Sequence, residues 1–169
     1  MNLQAPSLRR RMAAFVYEGT LLFGVVMLFG MIYAVSTGQR HAMYGRHGLE
    51  AFVFLALGLY FFWFWTKGGQ TLAMKTWRIR LVSAAGGNVS QPAALLRYVV
   101  SWIWLLPGLG LAYLNKGHST TLLFAYPVLW IVGYALLTYL QPQRQFWHDI
   151  LCGTRIVAAP PLAAKSTRD

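Results

Sequence analysis

The chain has 169 residues, of which 57% are hydrophobic and only 11% charged, with a net charge of +11 and one cysteine, Cys152. A soluble domain carries roughly a quarter charged residues, so an ordinary water-facing surface is excluded, and the lone Cys152 excludes an intrachain disulfide. The basic residues are dispersed between apolar stretches instead of being gathered on one face, which argues against nucleic acid and for anionic lipid headgroups as the partner of the positive charge.

The first apolar run follows Arg9, Arg10 and Arg11. It continues for about two dozen residues, too long for the apolar region of a signal peptide, and is read as a retained membrane helix. Four such runs are expected, at roughly 12–35, 49–66, 93–114 and 120–140, each near the ~20 residues that cross a bilayer core. Residues 1–11 are then a basic N-terminal segment, 12–159 a four-span membrane domain, and 160–169 a tail expected to be disordered. The fold class is an all-α membrane protein with a small β-like element in the connection and the tail.

Charge sets an expected orientation. With the N-terminus inside, Arg9, Arg10, Arg11, Lys67, Lys75, Arg78, Arg80, Arg97, Arg144, Arg155, Lys165 and Arg168 are inside and only Arg40, Arg46 and Lys116 are outside, twelve of the 15 basic residues against three. The positive-inside rule therefore puts both termini in the cytoplasm. Trp63 and Trp65 at the inner end of the second span, and Tyr33, Tyr44 and Tyr113 at the outer side, suit interfacial belts.

Pro107 and Pro127 lie inside spans three and four, where each removes a donor and frees a carbonyl one turn earlier, at Ile103 and Leu123. Either they bend the helices to open an outward vestibule, or neighbouring groups satisfy the carbonyls and the bends are ordinary. No span contains GxxxG, so close-packed helix dimerisation is not suggested.

Between spans two and three, Gly68-Gly69-Gln70-Thr71 predicts a turn into a short helix with Thr71 as its cap. Trp77 to Val82 alternates apolar and basic residues, a strand pattern, with a turn at Gly86-Gly87. Thr154 to Val157 repeats the theme. The alternative for these segments is an amphipathic stretch lying on the headgroups.

The chain has only four acids: Glu18, Glu50, Asp149 and Asp169. Glu18 follows Arg11 by seven residues, which puts both on one helix face about 10 Å apart along the axis, so Glu18 lies within the span. A carboxylate there needs a partner, and arginine, with its planar fork, is the expected one. Arg97 lies at the same depth. Arg11, Glu18, Arg80, Arg97, His148 and Asp149 thus form the candidate polar cluster at the inner face, either a structural network or an ion site. No metal site or cofactor motif is expected: His41, His47, His118 and Glu50 match no ligand spacing. No P-loop, GxGxxG or Ser-His-Asp arrangement is present, so an enzyme is not expected. His148-Asp149 is read as a structural pair, with Cys152 the one nearby nucleophile.

Four elements resemble the RDD-domain family of bacterial integral membrane proteins, named for two arginines and an aspartate near membrane spans. They are Arg11 to Glu18, where the family has Arg and, seven residues later, Asp; Gly69-Gln70-Thr71-Leu72-Ala73-Met74-Lys75 leading into Arg78-Ile79-Arg80-Leu81-Val82; Leu95-Leu96-Arg97 opening a span; and Trp147-His148-Asp149-Ile150-Leu151-Cys152-Gly153-Thr154. The resemblance covers nearly the whole chain. It implies a bacterial inner-membrane protein, with transport often suggested and sodium–proton exchange associated with some relatives; Glu18 keeps the family's charge with a longer side chain. The function so implied is ion or small-solute transport through the Arg/Glu/Asp cluster, with a homo-oligomer expected for so small a path. The alternative is a non-transport partner or assembly factor of another membrane complex.

Overall fold

A computed structural model describes residues 5–38, 46–115 and 119–159. Among them, four helical segments are long and apolar enough to cross a membrane. The first is α1 (Leu8–Ser36). Ser7 caps it by accepting from the Arg10 amide at 3.4 Å, so Arg9 to Arg11 form its first turn and not a separate basic segment. The second is α2 (Arg46–Lys67). The third is broken: α4 (Gln91–Ser101) passes through a 3-10 turn at Trp102–Trp104 into α5 (Leu106–Leu114). The fourth is α6 (Thr120–Leu136), ending in a 3-10 turn at Leu137–Leu140.

Pro107 does not bend a continuous helix. It sits in the first turn of α5, where its missing N–H is one of the helix's unpaired donors anyway. The Ile103 carbonyl is satisfied from the next span, accepting from Trp130 Nε1–H at 2.8 Å. At the same contact a Cβ on Gly108 would lie 2.7 Å from Pro127 Cα, so only glycine lets α5 and α6 approach this closely. The break and the proline of α6 are one packed joint.

Among the described residues, the remaining helices and strands lie at the end of the bundle where α1 and α4 begin and α2 and α6 end. There the chain adds α3 (Leu72–Thr76), β1 (Ile79–Ser83), α7 (Trp147–Leu151) and β2 (Thr154–Ala158). The β-like element is a real antiparallel pair, with Ile79 opposite Ala158 and Ser83 opposite Thr154. Thr71 caps α3, accepting from the Met74 amide at 3.2 Å. Gly69 takes a φ of +66°, and its carbonyl accepts from the Leu81 amide at 2.7 Å. A Cβ there would strike the Leu81 oxygen at 2.2 Å. Arg10 ties α1 to this layer, donating to the carbonyls of Trp77 and Arg78.

The core follows the same division. Trp65, Met74, Ile79, Leu81, Tyr98, Trp104, Tyr134, Phe146 and Ile156 form one buried cluster, concentrated toward the sheet end. Along the spans, apolar side chains such as Phe23, Met31, Leu59 and Phe124 face outward, because lipid offers them the same solvation as a neighbouring helix. Trp65 departs from the expected belt: Trp63 is exposed, but Trp65 is buried in the core. Pro92 sits in the first turn of α4, and the Ser90 side chain before it makes no capping bond. Tyr44, and the tail at 160–169, lie outside the described residues.

Candidate functional site

Two polar arrangements occupy the sheet end. The first is a buried latch. Arg97 on α4 is ion-paired with Asp149 on α7, and these side chains are 6% and 0% exposed. Arg97 also donates to Thr154 Oγ1 at 3.3 Å, and Thr154 donates to the Asp149 carbonyl at 3.2 Å. The Arg97 guanidinium lies 4.9 Å from the Trp65 ring centre, which explains why Trp65 turns inward from α2.

His148 completes the latch. Its backbone N–H donates to the Tyr134 oxygen at 3.1 Å, and Nδ1 lies 2.9 Å from that same oxygen. Nε2 lies 3.2 Å from Asp149 Oδ1, which can only accept, so in the neutral ring the proton sits on Nε2 and Nδ1 accepts from the Tyr134 hydroxyl. Burial first, then the charges of Arg97 and Arg11, hold the His148 pKa well below its usual 6.5, which favours the neutral imidazole. Both ring nitrogens are engaged, leaving none to activate Cys152, whose thiol pKa is pushed up by burial against the opposing pull of Arg97.

The second arrangement is a cavity of about 400 Å³ lined by residues of α1, α2, α3, α4 and the 3-10 turn, with Phe146, His148 and Ile156 at the sheet end. Glu18 faces it. Its Oε1 accepts from the Tyr60 hydroxyl at 2.8 Å and its Oε2 from the Thr71 hydroxyl. Thr71 uses its oxygen to cap α3 and its hydrogen to hold Glu18, so the cap and the carboxylate are coupled. Arg11 and Arg97 also line this cavity.

The expected Glu18–arginine pair is therefore not formed. Arg97 has Asp149 as its partner, and Arg11 stacks 4.3 Å from the Phe146 ring centre. The reason is azimuth. Glu18 and Arg97 share a depth, but α1 packs on α2 and α3, and those elements present hydroxyls to Glu18. Arg80 is not in the cluster either. Its strand turns Ile79 and Leu81 inward, so the intervening side chain faces the other way, where it donates to Asn88 Oδ1 at 3.3 Å. Of the expected six, Arg97, His148 and Asp149 meet in the latch, and Arg11 and Glu18 share the cavity.

Tyr60 and Tyr134 carried no sequence signal, since each sits in an apolar run where an aromatic is ordinary packing. Thr71 was visible only as a cap. At the opposite end, Glu50 pairs with Arg46 at 3.1 Å and His47 at 3.2 Å, while His41 and His118 lie outside the described residues.

The pieces that meet here, Arg11 to Glu18, Gly69 to Lys75, the start of α4 and Trp147 to Thr154, are those that carried the family resemblance. The family model described as RDD family matches residues 5–153. The chain belongs to the RDD family. No curated protein and no solved structure matches it. With four spanning helices, this RDD protein is a multi-pass integral membrane protein. Its motif elements, far apart in the chain, form a single polar end: Glu18 meets Thr71, Arg97 meets Asp149, and Arg11 meets Phe146.

Proposed function

We propose that this RDD protein transports an ion or small solute across a bacterial inner membrane, with the sheet end in the cytoplasm and Glu18 as the carboxylate that meets the moving species. The observation that carries this reading is the placement of Glu18: it faces a cavity of about 400 Å³ and is held by two neutral hydroxyls instead of an arginine. A carboxylate neutralised by a guanidinium is spent on structure; one held by hydroxyls keeps its charge available to a cation or proton. The latch beside it is a structural element that fixes α4, α6, α7 and β2, and no transport role is assigned to it. The exposed basic residues at this end, such as Arg9, face anionic headgroups, and a homo-oligomer completes a path too small for four spans alone. On this reading the protein is not an enzyme.

Glu18→Gln in proteoliposomes is the test. The variant is expected to fold normally and lose cation- or proton-coupled flux. Equal flux in both forms refutes the proposal, and absence of flux from either favours the rival reading, a partner or assembly factor of another membrane complex. Reporter fusions check the orientation: those in the 38–48 loop should read outside.

A further inference from the structure

Arg11 is a buried cation with no ion-pair partner among the described residues. It is 3% exposed, and its Nε and Nη1 are buried with no hydrogen-bond partner. Among the described residues the ion pairs between arginines and acids are Arg46–Glu50 and Arg97–Asp149, and Arg11 belongs to neither. It stacks on Phe146, which uses the face of the guanidinium, and it interacts electrostatically with Tyr139, while Nε and Nη1 on its in-plane edge stay unbonded. An unpaired charge in an apolar shell is costly, so a charged group that comes to meet it is favoured.

The cavity says what that group is attached to. Apart from its polar corner, the lining is aromatic and aliphatic, with Phe15, Leu22, Leu57, Phe61, Trp102 and Leu105 among its walls. Glu18 forms no ion pair with this guanidinium; its oxygens are bonded to Tyr60 and Thr71. We propose that the cavity binds an apolar-bodied monocarboxylate, its carboxylate on the edge of Arg11 and its body among these walls. One unpaired cation calls for one negative charge, and the planar fork of arginine matches a carboxylate in two parallel hydrogen bonds. The volume lies within the usual range for small-molecule sites. This deepens the transport reading and rests on it for the ligand's passage across the membrane, whereas binding is measured apart from flux. The same chemistry is offered by a carboxylate dissolved in water and by a fatty acid drawn from the bilayer.

The full chain in nanodiscs of zwitterionic lipid is titrated with octanoate, octanol and octylammonium, following the fluorescence of the cavity tryptophans. Octanoate is expected to bind saturably, and octanol and octylammonium about tenfold more weakly, the worth of one charge-assisted hydrogen bond. Arg11→Gln should lose octanoate by a similar factor, with Arg11→Lys intermediate. Gly19→Leu guards against misfolding: Gly19 lines the cavity and a Cβ there meets nothing within 4 Å, so the variant should keep wild-type stability while filling the site and abolishing binding. Octanol binding as tightly as octanoate, or unchanged octanoate affinity in Arg11→Gln and Gly19→Leu, overturns the proposal. Native mass spectrometry separates the sources: a fatty acid that co-purifies with the wild type and not with Arg11→Gln comes from the bilayer, and saturable octanoate uptake by lipid-free protein indicates entry from water. No octanoate binding alongside Glu18-dependent flux sinks this assignment alone; binding without flux sinks only the transport reading.

Discussion

Arg97 and Asp149, separated by 52 positions in the chain, form an ion pair with both side chains buried. The pair joins the start of the third span to α7, behind the fourth. Removing one partner of a buried pair typically costs about 3–5 kcal/mol, because the other charge is left uncompensated. Arg97 Nε and Asp149 Oδ2 already lack partners, which places the expected loss toward the lower end. Asp149→Asn should therefore lower stability by about 3 kcal/mol in denaturant unfolding of the solubilised protein, whereas Arg97→Met combined with Asp149→Leu should recover most of it. Equal losses in the single and double variants would show that the latch works by its shape and not its charge.

His148 gives the latch a pH dependence. Its native pKa is depressed below the usual 6.5, so between the two values the unfolded chain binds more protons than the native one. Stability is then full above about pH 6.5 and falls as the pH drops toward the depressed native value. His148→Gln should flatten that part of the stability-versus-pH curve. A slope unchanged by the substitution would assign it to another group.

Glu18 is held by unequal bonds. Tyr60→Phe removes one donor, worth about 1–2 kcal/mol to a charged acceptor. Thr71→Val removes the other and also the α3 cap, itself worth about 1 kcal/mol, so it should be the more damaging of the two in thermal unfolding. Glu18→Gln keeps an acceptor for Tyr60 and should shift stability least. The order Thr71→Val, Tyr60→Phe, Glu18→Gln is the checkable outcome, and Glu18→Gln as the most damaging would give the carboxylate a structural role.

The joint between the third and fourth spans has no room to spare. Gly108→Ala places a methyl 2.7 Å from Pro127 Cα, and overpacking of this kind costs about 1–3 kcal/mol. Trp130→Phe leaves the Ile103 carbonyl without its donor, a smaller loss of about 1 kcal/mol for a bond between membrane helices. A tolerated Gly108→Ala would mean that α5 and α6 can separate without penalty.

Much of this protein was legible in its residues. Apolar length located four spans, the alternation at Trp77 to Val82 located β1, and Gly69 and Thr71 marked the turn and cap that the fold uses. These features depend on a segment and its solvent alone: a run of about 20 apolar residues is driven into lipid whatever its neighbours are. The depth of Arg11, Glu18, Arg97 and Asp149 followed in the same way. Which acid meets which arginine did not, because depth is set by the bilayer and azimuth by helix packing. Only the tertiary structure gave Asp149 to Arg97, turned Trp65 inward beneath that guanidinium, handed Glu18 to Tyr60 and Thr71, and left Arg11 buried against Phe146 at the edge of a cavity. Those contacts arise from how α1, α2, α4 and α7 are rotated against one another, a choice that no single apolar run contains.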